Sequence, residues 1–199
     1  MKRSIAMIIA VFAALSPAMA EEEEKTPTIQ DLDFLVGSWE EEAKVFSTRN
    51  EGEFLWDSIS SIDCVYDLPY RRWEETEPTP IYITCHRKSV GKRGDETRYR
   101  ETRESIRYNR FKGDFEQVGL YSNWPTPGYE TVTFDPETRT LKITGVLDVG
   151  DRGAERYEAL LVYNKDFDAY EYEIYSNFSD MPSVRKFFLI WTAKGRKVR

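Results

Sequence analysis

From residue 39 onward the chain alternates apolar and polar residues with a period of two, in one segment after another, and no run keeps a helical period long enough to build a long helix. Without helices there is nothing to make the crossovers that parallel sheets need, so successive strands must pair antiparallel as a meander. Residues 39–46 set the pattern, with Trp39, Ala43 and Val45 on one face and Glu40, Glu42 and Lys44 on the other. A second strand spans about residues 54–68, where Trp56, Ile62, Cys64, Tyr66 and Leu68 share one parity. After a loop rich in proline, residues 81–88 form a third, and 91–94 read as its turn. Shorter hairpin segments follow at 115–122, 129–134, 141–147, 156–163 and 170–175, with a last apolar strand at 184–193 before a basic tail. A meander of this length closes on itself, because closure removes both exposed edges, whereas a two-sheet sandwich would want longer crossings than these turns offer. The expected fold is all-β: an antiparallel up-and-down barrel of about 8–10 strands.

The segment just before the first strand supplies an end for such a barrel. Leu32, Leu35 and Val36 fall at helical spacing, Gly37 then breaks the turn, and Trp39 opens the strand. A short helical plug and the side chain with the largest area to bury would shut one mouth against water. Upstream, Lys2 and Arg3 precede an apolar run at 5–15, and Ala18-Met19-Ala20 places small residues where a signal peptidase reads. The run is about half the length of a membrane span, and no Cys stands ready to take a lipid. The expected organisation is a signal peptide at 1–20, an acidic spacer at 21–29 and a barrel domain at 30–199, in a periplasmic or secreted protein without stable membrane insertion.

The leader takes away two bases and no acids, so the mature chain is two charges more negative than the −7 of the full sequence. That sign repels phosphate backbones and argues against nucleic acid as a partner. Residues 97–108 are a dense exception, in which neither parity is apolar before Ile106 and Tyr108. As a strand this segment must send charge inward, either Arg98, Arg100 and Glu104 or Glu101, Arg103 and Arg107; a helix is the alternative.

Catalytic signatures are missing. The one histidine, His86, follows Cys85 directly, and neighbours on a strand point to opposite faces, so the two cannot form a nucleophile–base pair there. Two Cys and one His on separated segments do not make a zinc site, and residues 91–94 suit a turn better than a phosphate cradle. No metal or cofactor is expected. Glu41 shares the parity of Trp39, and a buried carboxylate is costly unless paired, so it should meet an Arg or Lys inside the barrel or escape at the rim. If the second and third strands pair around the proline loop, residues whose numbers sum to a constant lie opposite each other, which sets Tyr66 against Ile83 and Cys64 against Cys85. In an oxidising compartment that pair predicts a cross-strand disulfide.

With these pieces placed, Phe34-Leu35-Val36-Gly37-Ser38-Trp39 resembles the Gly-x-Trp signature that opens lipocalins and the wider calycin group. It is more similar to a bacterial family of lipocalin-like domains of unknown function, as is the closing hairpin from Arg156 through Tyr175 into the 185–192 segment. The resemblance implies a barrel whose lumen takes small apolar or amphipathic molecules. The nitrobindin-like branch of the group binds haem, but its further glycines and late His ligand are replaced here by Glu40-Glu41-Glu42 and by the lack of any His after His86. The expected function is therefore binding of a small amphipathic molecule, with Trp39, Glu41, Trp56, Tyr66, Arg103, Arg107 and Tyr172 as the ligand-binding set. An enzyme using inward Glu, Arg and Tyr groups is one alternative, and an envelope interaction module with a filled barrel is another. Neither ligand identity nor oligomeric state is legible.

Overall fold

A computed structural model describes residues 26–48, 50–70, 79–148, 154–176 and 187–198. The expected leader, most of the expected acidic spacer and part of the proline loop lie outside the described residues. The chain begins with a short 3-10 helix, Ile29–Leu35, kinked at Leu32 and opened by the Asp31 carboxylate, which accepts the Thr28 backbone N–H at 2.6 Å. Ten strands follow: β1 (Gly37–Phe46), β2 (Phe54–Tyr70), β3 (Thr79–Arg93), β4 (Glu96–Asn109), β5 (Asp114–Tyr121), β6 (Gly128–Asp135), β7 (Thr140–Asp148), β8 (Ala154–Tyr163), β9 (Ala169–Ser176) and β10 (Phe188–Lys197). Each pairs antiparallel with the next, and β1 pairs with β10 to close the barrel.

Residues 97–108 take the strand reading, as part of β4, and not the helical alternative. Two other expectations about elements are corrected. The turn expected at 91–94 is tighter: β3 runs to Arg93, because Gly91 lies within the ladder beneath the Trp56 ring. The basic tail from Lys194 is largely strand, since Lys194, Arg196 and Lys197 pair with Glu42, Glu40 and Trp39 of β1.

The helix shuts one mouth. Ile29, Leu32 and Leu35 are buried there with Trp39, whose indole N–H donates to the Leu35 carbonyl at 2.9 Å. Gly37 sits between helix and strand at φ +130, a backbone conformation that side chains resist. The Lys197 chain packs into the space its side chain would need, donating to the Phe34 carbonyl at 3.2 Å and lying 5.2 Å from the Trp39 ring. Above the helix, Ile62, Ile83, Ile106, Phe115, Val132, Leu141 and Leu161 fill the closed half with apolar side chains. The outer wall carries charge along most strands, with pairs such as Arg196–Glu40, Lys142–Glu158 and Lys194–Glu171.

Cys64 and Cys85 lie directly opposite in the β2–β3 register, 4.0 Å apart at Cα, and are joined by a disulfide. Gly37 is the last β1 residue to pair with β2, and its partner is Cys64. The bridge therefore sits where β2 runs on past the end of β1, while β3 stays paired with β4 as far as Tyr82.

Candidate functional site

Alternation carries one parity of each strand into the lumen. On β1 that parity holds Trp39, Glu41, Ala43 and Val45; on β4 it holds Arg98, Arg100, Thr102, Glu104 and Ile106. Towards the mouth away from the helix the interior turns polar, and two carboxylate clusters occupy it.

The first is centred on Glu41, which is 1% exposed. One of its oxygens is held by the Arg87 guanidinium, and the other accepts the Tyr170 hydroxyl at 2.8 Å. Arg87 also lies over the Tyr172 ring at 5.9 Å. The ring of Tyr170 can reach Glu41 only because Gly195, its β10 neighbour, has no side chain; a Cβ there would run into the ring. Burial opposes the charge on Arg87, yet the adjacent Glu41 carboxylate holds its proton affinity above the ordinary value. Burial, with the same carboxylate beside it, pushes the Tyr170 hydroxyl well up. Both oxygens of Glu41 have partners and its charge is matched, so this network is complete.

The second cluster is built the same way and left incomplete. Tyr121 of β5 donates to Oε1 of Glu130 at 2.7 Å, and Tyr157 of β8 donates to the same oxygen. Both rings lie along the wall over glycines, Tyr121 over Gly119 and Tyr157 over Gly145, where a Cβ would collide with them. The other oxygen of Glu130 is buried without a hydrogen-bond partner, as are Arg100 Nε, Thr102 Oγ1 and Trp191 Nε1. All four belong to lumen-facing positions. Arg100 stands over the Tyr121 ring at 5.3 Å. Burial pushes the Glu130 carboxyl up, with the nearby Glu104 adding to the shift; the hydrogen bonds from Tyr121 and Tyr157 and the nearby Gln117 amide oppose it and do not cancel it. A third buried carboxylate, Glu155, is raised for the same reason and is held by the Ser176 hydroxyl.

The residues expected to bind a ligand divide between the two sides of the wall. Trp39 packs in the closed end against Tyr163 and Tyr170. Glu41 and Tyr172 meet around Arg87, which is the inward cation that the buried acid required. Trp56 faces inward over Gly91, with Arg98 at 4.9 Å from its ring. Tyr66 lies on the part of β2 that runs past β1, opposite Ile83 of β3, and is 36% exposed. Arg103 and Arg107 face outward, a correction to their place in the set: Arg107 pairs with Glu116 at 3.2 Å and with the Tyr82 hydroxyl at 3.3 Å, and Arg103 is exposed beside His86 in the register. Arg98 and Arg100 take the inward parity instead, Arg100 half-buried and Arg98 exposed at the rim in an ion pair with Glu96. The residues missed from sequence are Arg87, Tyr121, Glu130, Tyr157 and Trp191. A usable signal was there, since glycine is disfavoured inside strands, and Gly119, Gly145 and Gly195 interrupt them at the parity of the core.

Two depressions mark the wall. One of about 320 Å³ lies where β4 and β5 part, bordered by Thr102, Arg103 and Tyr121; another of about 770 Å³ crosses β10, β1, β2 and β3 around Ile59 and Val90. Among the described residues no three His, Cys, Asp or Glu gather as a metal ion would need.

Fold and lumen together define a closed ten-stranded antiparallel barrel with an apolar closed end and a polar, partly unpaired opposite half. No family model matches the chain, and no curated protein matches it. Among solved structures the chain is similar to that of a protein of unknown function from the DUF3598 family of Nostoc punctiforme PCC 73102, at 11% identity and a TM-score of 0.28, covering 83% of this chain and 97% of that one.

Proposed function

We propose that this is an exported, lipocalin-like carrier that holds a small amphipathic molecule in its lumen. The observation that supports this reading is the set of buried polar atoms without partners on Arg100, Thr102, Glu130 and Trp191. Each such atom costs about 1–3 kcal/mol when left unsatisfied, and a native interior keeps few of them unless a ligand or water completes them. The polar half of the lumen suits the head group of such a molecule. Titrating the delipidated protein with a panel of amphipathic molecules while following tryptophan fluorescence tests the reading. Saturable quenching or enhancement is expected, because Trp56 and Trp191 face the lumen. Mass spectrometry of whatever the natively purified protein releases would identify the cargo.

A second reading rests on the outer wall. Val118, Tyr129 and Val146 lie side by side across β5, β6 and β7 and are all exposed, the kind of row an envelope interaction module would present. A panel without any saturable response would favour that reading.

A further inference from the structure

β4 outruns its neighbour at the mouth away from the helix. The Ser122 backbone N–H donates to the Glu101 carbonyl at 2.9 Å, so odd-numbered β4 residues turn their backbone groups towards β5 and even-numbered ones towards β3. β5 stops there, with Tyr121 facing Thr102 as its last ladder pair, while β4 and β3 stay paired without a shift up to Glu96 and Arg93. The N–H and C=O groups that Tyr99 and Thr97 turn to the β5 side therefore have no backbone partner among the described residues. Residues from Arg93 to Tyr99 are all exposed, Tyr99 to 79%. An open edge is a template for another strand, and proteins usually blunt it with a proline or a bulge. This one has neither.

Charge selects what the edge can pair with. An added antiparallel strand must set bonding positions against bonding positions. A second copy of the edge then has three registers centred here: Thr97 opposite Thr97, Thr97 opposite Tyr99, or Tyr99 opposite Tyr99. The second of these sets Arg98 against itself, and the third sets Arg98 against Arg100. In the first, Glu96 of each copy faces Arg98 of the other, and no like charges meet. Glu96 and Arg98 share a face of the strand, where they pair at 2.8 Å, so in this register each carboxylate lies between two guanidiniums. The same register brings the turn residue Gly94 of one copy level with Arg100 of the other. There it comes next to Glu101, where the depression of about 320 Å³ bordered by Arg103, Leu120 and Ser122 begins. Gly94, at φ +58, gives the turn no side chain to hold it off.

We propose that the free edge of β4 is a self-association surface, on which a second copy of this chain adds its own β4 edge antiparallel about a twofold axis at Thr97. The two β3–β4 hairpins then overlap, and the barrels stand end to end rather than side by side. The pairing is independent of what the lumen holds. Because the overlap is short and exposed ion pairs add little, the dimer is weak, in the micromolar range.

Sedimentation of the purified protein from about 1 to about 300 μM spans that range and is expected to show monomer passing to dimer. Over the same series amide exchange at Thr97 and Tyr99 should slow, while that of Glu101, already bonded to the Ser122 hydroxyl, stays constant. Thr97→Pro removes a donor on the open side alone, leaves the β3 ladder intact, and should abolish association with an unchanged melt. Glu96→Arg and Arg98→Glu each set like charges face to face, and either alone should weaken the dimer at least about tenfold. Mixed together, the two charge variants restore opposite charges at every contact and should associate as the wild type does. A protein that stays monomeric throughout the series overturns the proposal. So does a dimer in which Thr97 and Tyr99 keep exchanging as exposed amides, since another face then holds it. A mixture of the charge variants no tighter than either alone overturns it as well, and that arm does not depend on the proline variant folding.

Discussion

Replacing Arg87 by Met is the sharpest test of how the lumen is held together. Arg87 is the cation paired with Glu41, and the two side chains are 13% and 0% exposed. Met keeps the length of the chain and its apolar contacts but leaves the carboxylate buried with only the Tyr170 hydroxyl to hold it. Breaking a buried pair from one side costs about 3–5 kcal/mol, because the surviving charge is neither solvated nor matched. In a domain of this size each kcal/mol moves the melting temperature by about 2–4 °C, so a drop of roughly 10 °C is expected. Urea titration of the wild type, Arg87→Met, and a double variant with Glu41→Gln added would measure it. The double variant should regain most of the loss, since an amide can accept from Tyr170 without a buried charge. A loss below about 1 kcal/mol for Arg87→Met, the range of exposed pairs, would refute the claim that the charge is truly desolvated.

N-terminal sequencing of the exported protein should begin at Glu21, and retention of Met1 would remove the leader from the account. Thiol titration of the denatured, unreduced protein should find no free cysteine, and replacing both Cys64 and Cys85 by Ser should cost about 3 kcal/mol in urea unfolding for a loop of 21 residues. Because Glu155 is raised in the folded protein above its ordinary value of 4.5, its contribution is fully present below that pH and is lost as the pH rises through the higher folded value. Glu155→Gln should therefore gain stability relative to the wild type as the pH climbs, and a constant difference between pH about 5 and about 8 would contradict the shift. Arg107→Ala should change stability by no more than about 0.5 kcal/mol and leave ligand affinity untouched, as its outward ion pair implies; a loss of binding would place it back in the lumen.

Alternation of single residues was enough to determine the meander, the inward parity of β1 and the opposition of Cys64 to Cys85, because each depends only on period two and on one hairpin's register. That Glu41 should meet an inward cation or escape at the rim was legible in the same way, since a buried carboxylate is costly unless paired. Which cation answers it was not, for Arg87 lies 46 positions away and reaches Glu41 across β2. The inward parity of β4 was also silent, because both of its faces are charged and alternation of charge with charge has no hydrophobic side. Tertiary structure decides it through register: Ile106 stands opposite the fully buried Ile83 of β3, and that single pairing turns Arg98, Arg100 and Glu104 inward and Arg103 and Arg107 out. The Glu130 cluster draws on three strands of one stretch of the meander, with Tyr121 9 and Tyr157 27 positions from Glu130 and both tyrosine rings lying over lumenal glycines. The registers of β5 to β8 bring these side chains together along the wall, and spacing along the chain does not record which hydroxyl reaches which carboxylate.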